Sequence, residues 1–130
     1  MAVYPGDPSP EMIQVTTISE QGYTDFQLKT GMHHDQHFGQ DSYYLEHPLV
    51  SADFAKQATD LGVSVIGLDT PSHDRSPYAI HKILLREVVL VIENLTNLSL
   101  LKNASNIVVF AFPPKFALEA SPVRVIARIE

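Results

Sequence analysis

Six histidines stand out in a chain of 130 residues that contains no cysteine and no tryptophan. Three of them fall in the run His33-His34-Asp35-Gln36-His37. Imidazoles and carboxylates are the side chains that bind divalent metals and move protons near neutral pH. Histidines spaced i and i+4, as His33 and His37 are, can share one ion on a helix, and in a loop many pairings serve. The bland alternative is a solvated polar loop, because a short His-rich tract is a compositional signal only. His81 sits between Ile80 and Lys82, where a helix-surface histidine is the plain reading. Two carboxylates carry more information. Asp69 follows the apolar run Val63 to Leu68, and Glu93 follows Val88 to Ile92. Ligands in α/β proteins gather at the carboxyl ends of strands, so both are candidates for a site. Their alternatives are an Asx turn before Pro71 and a Glu93 bonded to the turn that follows it.

Composition narrows the chemistry. Asp and Glu number 15 against 9 Lys and Arg, a formal net charge of −6. Basic residues do not cluster with aromatics, so neither a nucleic-acid footprint nor a polybasic membrane surface is expected. The absence of cysteine removes a disulfide framework, a thiolate zinc site and a cysteine nucleophile. There is no G-x-G-x-x-G, no Walker A loop, no G-x-S-x-G elbow and no H-E-x-x-H. The first residues lack the basic and apolar regions of a secretory signal, and the longest apolar runs are strand-sized. A cytoplasmic protein is therefore expected, with the sequons at Asn94, Asn97 and Asn103 unmodified.

These candidates need elements to position them. Pro5, Pro8 and Pro10 hold the opening extended. Met12 to Ile18 and Tyr23 to Thr30, parted by the turn Ser19-Glu20-Gln21-Gly22, read as a hairpin. Residues 31–50 are polar and aperiodic and read as loop. Ser51 caps a helix over 52–61 that ends at Gly62. Val63 to Leu68 and Val88 to Ile92 read as buried strands, with a helix between them opened by Ser76 and Pro77. Leu95 to Leu101 reads as a short helix or turn. Ile107 to Phe112 is a strand stopped by Pro113-Pro114, and Val123 to Ile129 alternates as a last strand. The expected fold class is α/β, a mixed sheet with flanking helices in one domain over 1–130: an N-terminal hairpin (1–34) joined to a C-terminal α/β half (35–130).

The opening Met1-Ala2-Val3-Tyr4-Pro5-Gly6-Asp7-Pro8 resembles that of the cyclase family, the kynurenine formamidase-like metal-dependent hydrolases. The similarity resumes at Asp35-Gln36-His37-Phe38-Gly39-Gln40-Asp41-Ser42-Tyr43-Tyr44 and His47-Pro48. It continues through Ile66-Gly67-Leu68-Asp69-Thr70-Pro71-Ser72, Ile80-His81-Lys82, Ile92-Glu93-Asn94-Leu95-Thr96-Asn97-Leu98 and Ser121-Pro122-Val123-Arg124. The pieces span nearly the whole chain in the family's order. The family signature H-x-G-T-H-x-D-x-P-x-H is not intact. Thr30-Gly31-Met32-His33 resembles its approach, and the chain then passes to a segment that in the family lies several dozen residues later. An ungapped reading would keep His33 and His37 as an H-x-x-x-H pair. The gapped reading is preferred because Asp35 to Pro48 fits the later segment better.

The resemblance implies a shortened version of the family's swivelling β/β/α domain. It implies a divalent metal, zinc or manganese, that activates water against an aryl formamide or related small-molecule amide such as N-formylkynurenine. Residue by residue, His33 resembles the first metal ligand, His81 the active-site histidine, and Glu93 a carboxylate ligand. His37, with His34 and Asp35, is a weaker stand-in for the missing signature residues. A catalytic zinc normally takes three protein ligands, so activity is expected to be reduced or lost. The alternative is a non-catalytic interaction or oligomerisation module derived from the same family. Missing central strands would leave open sheet edges, and a homo-oligomer is expected.

Overall fold

The computed structural model describes residues 11–19, 22–30, 33–101, 103–104 and 106–129, the first two stretches as backbone path. The proline-rich opening, the Glu20-Gln21 turn and Gly31-Met32 lie outside the described residues. β1 (Glu11–Ser19) and β2 (Gly22–Thr30) form the expected hairpin, in register from Glu11 opposite Thr30 to Ser19 opposite Gly22. β2 pairs in parallel with β3 (Val65–Leu68), and β3 in parallel with β4 (Leu90–Ile92). The sheet is mixed, in the order β1-β2-β3-β4, and the chain is α/β. β5 (Ile107–Phe112) and β6 (Arg124–Ile129) pair antiparallel as a separate two-stranded sheet.

Helix α3 (Ala52–Asp60) forms where its signals put it. The Ser51 hydroxyl accepts from the Phe54 N–H at 3.1 Å, and Gly62 takes the left-handed φ of 71° that ends the helix. Such a conformation carries little cost only for glycine. Helix α4 (Ala79–Arg86) starts later than the Ser76-Pro77 signal predicts. Its first free N–H groups, those of Ile80 and His81, donate instead to Asp74 Oδ2. A carboxylate at the positive end of the helix replaces the expected serine cap.

Two further expectations are corrected. Residues 31–50 are not all loop: α1 (His33–His37) and α2 (Asp41–Leu45) are single helical turns. Turns this short carry no apolar period; each is held by one buried residue, His33 or Tyr43. The strand at 88–92 narrows to Leu90–Ile92, and it is not fully buried, with Leu90 59% exposed. Among the described residues β4 is the edge strand of the sheet, and Val91 and Ile92 are only half-buried.

The alternation of β3 divides the core. Ile66 and Leu68 face α3 and α4, where they pack with Phe54, Ala55, Ala58, Ile80 and Leu84. Val65 joins the opposite cluster, with Ile92, the 3-10 turn at Leu98–Leu101, and Ile107 and Val109 of β5. A helix layer, the mixed sheet and the β5–β6 sheet therefore stack in that order. Leu84 is fully buried between α4 and the sheet. Leu84→Ala is expected to cost about 2–5 kcal/mol in urea unfolding; an unchanged midpoint would mean α4 is not seated as described.

Candidate metal centre

The parallel pairing of β3 and β4 continues past both strands. Asn94 N–H donates to Thr70 O and Leu95 N–H to Leu68 O, each at 2.9 Å. The carboxyl ends of the two strands are thereby held side by side, with Asp69 and Thr70 on one and Glu93 and Asn94 on the other. Asn94 has a φ of 59°, a left-handed turn that asparagine tolerates better than most residues.

The loop after β3 folds back over these ends. The Thr70 hydroxyl donates to Ser72 O and the Ser72 hydroxyl to Asp74 O. Val50 N–H donates to His73 O at 2.9 Å, tying the loop to the entry of α3. His73 arrives almost wholly buried, its side chain 2% exposed. Its backbone N–H and its Nδ1 both meet Glu93 Oε1, at 3.2 and 2.8 Å. A carboxylate can only accept here, so in the neutral ring Nδ1 carries the proton and Nε2 keeps its lone pair. That Nε2 is buried and has no hydrogen-bond partner among the described residues.

His81, on the first turns of α4, repeats the arrangement. Its Nδ1 meets Asp74 Oδ1, and the two imidazole rings of His73 and His81 lie 3.6 Å apart between centroids. His73, Asp74 and His81 each bring a ligand atom to within 4.8 Å of the others, a spacing that can hold a metal ion. His73, its Nδ1 held by Glu93 from outside the trio, has the outer-sphere support that metal-binding imidazoles usually have; the partner of His81 Nδ1 is Asp74, itself one of the three. The donor set fits a borderline divalent ion.

Of the residues expected at the site, the structure places His81 in this cluster and Glu93 directly behind it, as the partner of His73. His33 and His37 form a separate pair, stacked at 4.9 Å. His33 donates its backbone N–H to Asp69 Oδ2, and its Nε2 lies 3.0 Å from Tyr43 O. His34 stacks on Phe38, and Asp35 accepts from the Ser99 hydroxyl, both away from the cluster. The two groups meet at Tyr43, whose ring stacks on His33 while its hydroxyl donates to Asn94 Oδ1 at 2.7 Å. Burial, reinforced by Tyr44, Asp69 and Glu93, pushes the Tyr43 phenol up to about 12. It is therefore a donor over the whole physiological range.

Sequence reasoning misses His73 and Asp74. Asp69 stands directly at the end of β3, whereas His73 and Asp74 lie farther along the same loop, where no strand-end signal marks them. Asp74 also lies six positions before the first N–H it caps, outside the spacing by which a helix cap is recognised in sequence.

His47 is the remaining buried histidine, 7% exposed, between the rungs Leu45 O to Arg75 Nη2 and Val50 N to His73 O. Its Nδ1 lies 2.9 Å from Tyr44 O, and its Nε2 is buried without a partner among the described residues. Burial holds its pKa below the ordinary 6.5, with Arg75 and His33 adding to the effect and the Tyr44 bond and Glu93 opposing it.

Set beside protein-family models and curated proteins, the chain matches none of them. No helix among the described residues is long and apolar enough to cross a membrane.

Two outcomes follow from this geometry. Asp74→Ala removes the cap of α4 and the tether of His81 together, and a loss of about 1–3 kcal/mol in urea unfolding is expected. A neutral, buried His47 contributes stability that is complete above pH 6.5. It is lost as the pH falls through the lowered folded value, because the unfolded chain then takes up a proton that the folded chain resists. The stability gap between wild type and His47→Gln should therefore be wide at about pH 8 and narrower at about pH 5.5; parallel pH profiles would contradict it.

Proposed function

We propose that this chain is a cytoplasmic metal-dependent hydrolase of the kynurenine formamidase-like cyclase type. It acts on an aryl formamide or related amide with a turnover below that of an intact family member. The observation that carries the reading is the buried, unpartnered Nε2 of His73, whose ring is fixed from behind by Glu93. His73, Asp74 and His81 would hold the ion, and zinc and manganese both suit such donors. Bound there, the ion supplies a polarised carbonyl and a water acidified to near neutrality.

The protein's own residues do the rest. Glu93 keeps the His73 proton on Nδ1, so the ring cannot turn away from the cluster. Asp74 does the same for His81 while anchoring α4. His73 and Asp74 are closed off, whereas the His81 side chain is 33% exposed. His81 is thus the member of the three that borders solvent, on the side from which a substrate would reach the cluster. Reduced turnover follows from the ligands: His33, which resembles the first ligand of the family signature, is engaged with Asp69 and Tyr43, and it stacks on His37, the weaker stand-in for the missing residues.

A homo-oligomer belongs to the same reading. The β5–β6 sheet and the loop joining its strands expose Phe112, Phe116, Leu118, Ile126 and Ile129, each at least 49% accessible, a surface that association would cover.

The test is direct. Purified protein dialysed against zinc or manganese should retain one equivalent by elemental analysis and hydrolyse N-formylkynurenine slowly. Glu93→Gln should weaken metal binding by about 10–100-fold, and His73→Gln should abolish it. A chain that takes up no ion from excess overturns the hydrolase reading in favour of an interaction module. A monomer by light scattering at micromolar concentration removes the oligomer.

A further inference from the structure

The loop joining β5 to β6 spans residues 113–123 and carries Pro113, Pro114 and Pro122. Proline fixes φ, so such a loop has fewer conformations to lose on binding. Phe116 N–H donates to Pro114 O at 2.9 Å, which holds the turn that presents the next residues. Phe116 is 61% and Leu118 70% exposed, so neither side chain serves the core. Lys115 and Glu119 bracket them, both exposed, and neither has an ion-pair partner among the described residues.

The order basic, apolar, small, apolar, acidic is self-complementary. Turned antiparallel about Ala117, a second copy of the segment sets Glu119 against Lys115 and Leu118 against Phe116, and each contact occurs twice. One patch meeting itself in this way is the isologous interface of a two-fold dimer. The loop alone would not supply the roughly 800 Å² per partner that a stable interface buries, but the adjoining sheet extends it. Phe110 pairs with Ile126 in the register and Phe112 stacks on Phe110 at 6.1 Å, on the face opposite Val109 and Val125 of the core. Phe112 and Ile126 of this face are exposed. β6 by itself is a poorer seam. It contains no acid, and paired about Ile126 it would set Arg124 against Arg128 of the second copy.

We propose that Lys115-Phe116-Ala117-Leu118-Glu119 is the seam of a two-fold homodimer, each loop lying antiparallel to its copy, with the Phe112 and Ile126 face beside it covered as well. The proposal rests on the homo-oligomer reading and is independent of the metal centre.

The test is sedimentation equilibrium of the full-length chain at low ionic strength, where the wild type should be a dimer at micromolar concentration. Lys115→Glu and Glu119→Lys each set like charges at both contacts and should weaken the dimer by about 10-fold. Mixed in equal amounts, these two variants should associate with each other as the wild type does, because an all-acidic seam then meets an all-basic one. Such recovery also shows that both variants are folded. Phe116→Ser, which alters only an exposed side chain, should weaken the dimer by about 10-fold or more. A wild-type dimer that the charge reversals or Phe116→Ser leave unchanged, or single variants that fail to recover on mixing, overturns the seam and leaves the oligomer standing. A wild-type monomer overturns both.

Discussion

The backbone pairing of β3 with β4, carried beyond the strands by Asn94 to Thr70 and Leu95 to Leu68, is the constraint on which the rest depends. Parallel strands end at the same edge of a sheet. The apolar stretch of β3 is buried between two clusters, and its polar successors emerge together with those of β4. Slippage by one residue would turn Ile66 and Leu68 from the helices toward the second sheet and would part Glu93 from the His73 loop. The core therefore enforces the register, and the register places the site.

Asp74 joins stability to chemistry. One oxygen of its carboxylate satisfies the first N–H groups of α4, and the other holds His81. The helix that presents His81 is capped by the residue that orients it, and the same helix buries Ile80 and Leu84 in the core. Glu93 plays the parallel part for His73 from the end of β4. Such a site is preorganised by its fold: both imidazoles have their Nδ1 atoms committed to carboxylates.

Much of this was legible beforehand. The hairpin, α3 with its Ser51 cap and Gly62 terminator, β3, and the β5–β6 strands follow from periodicity and turn chemistry, which are local. The helical turns of α1 and α2 were not legible, because each is held by a single buried side chain. His81 and Glu93 are marked in the sequence by resemblance and by their place after helix-start and strand signals. Nothing within their own segment marks His73 and Asp74. His73 acquires its role from Glu93, twenty positions along, and Asp74 from a cap at a spacing no local rule covers.

The sequence alone determined which segments bury apolar faces and where chains must turn, since those preferences reside in each residue and its near neighbours. It also determined that any metal chemistry must use imidazole and carboxylate, because no thiol is present. Only the tertiary structure decided which histidines meet. The dense run at His33, His34 and His37 is the most conspicuous feature of the chain, yet the cluster forms at His73, Asp74 and His81. The reason is geometric. Ligands converge where strand ends and a helix start are packed against one another, and that proximity is set by the core and not by density along the chain.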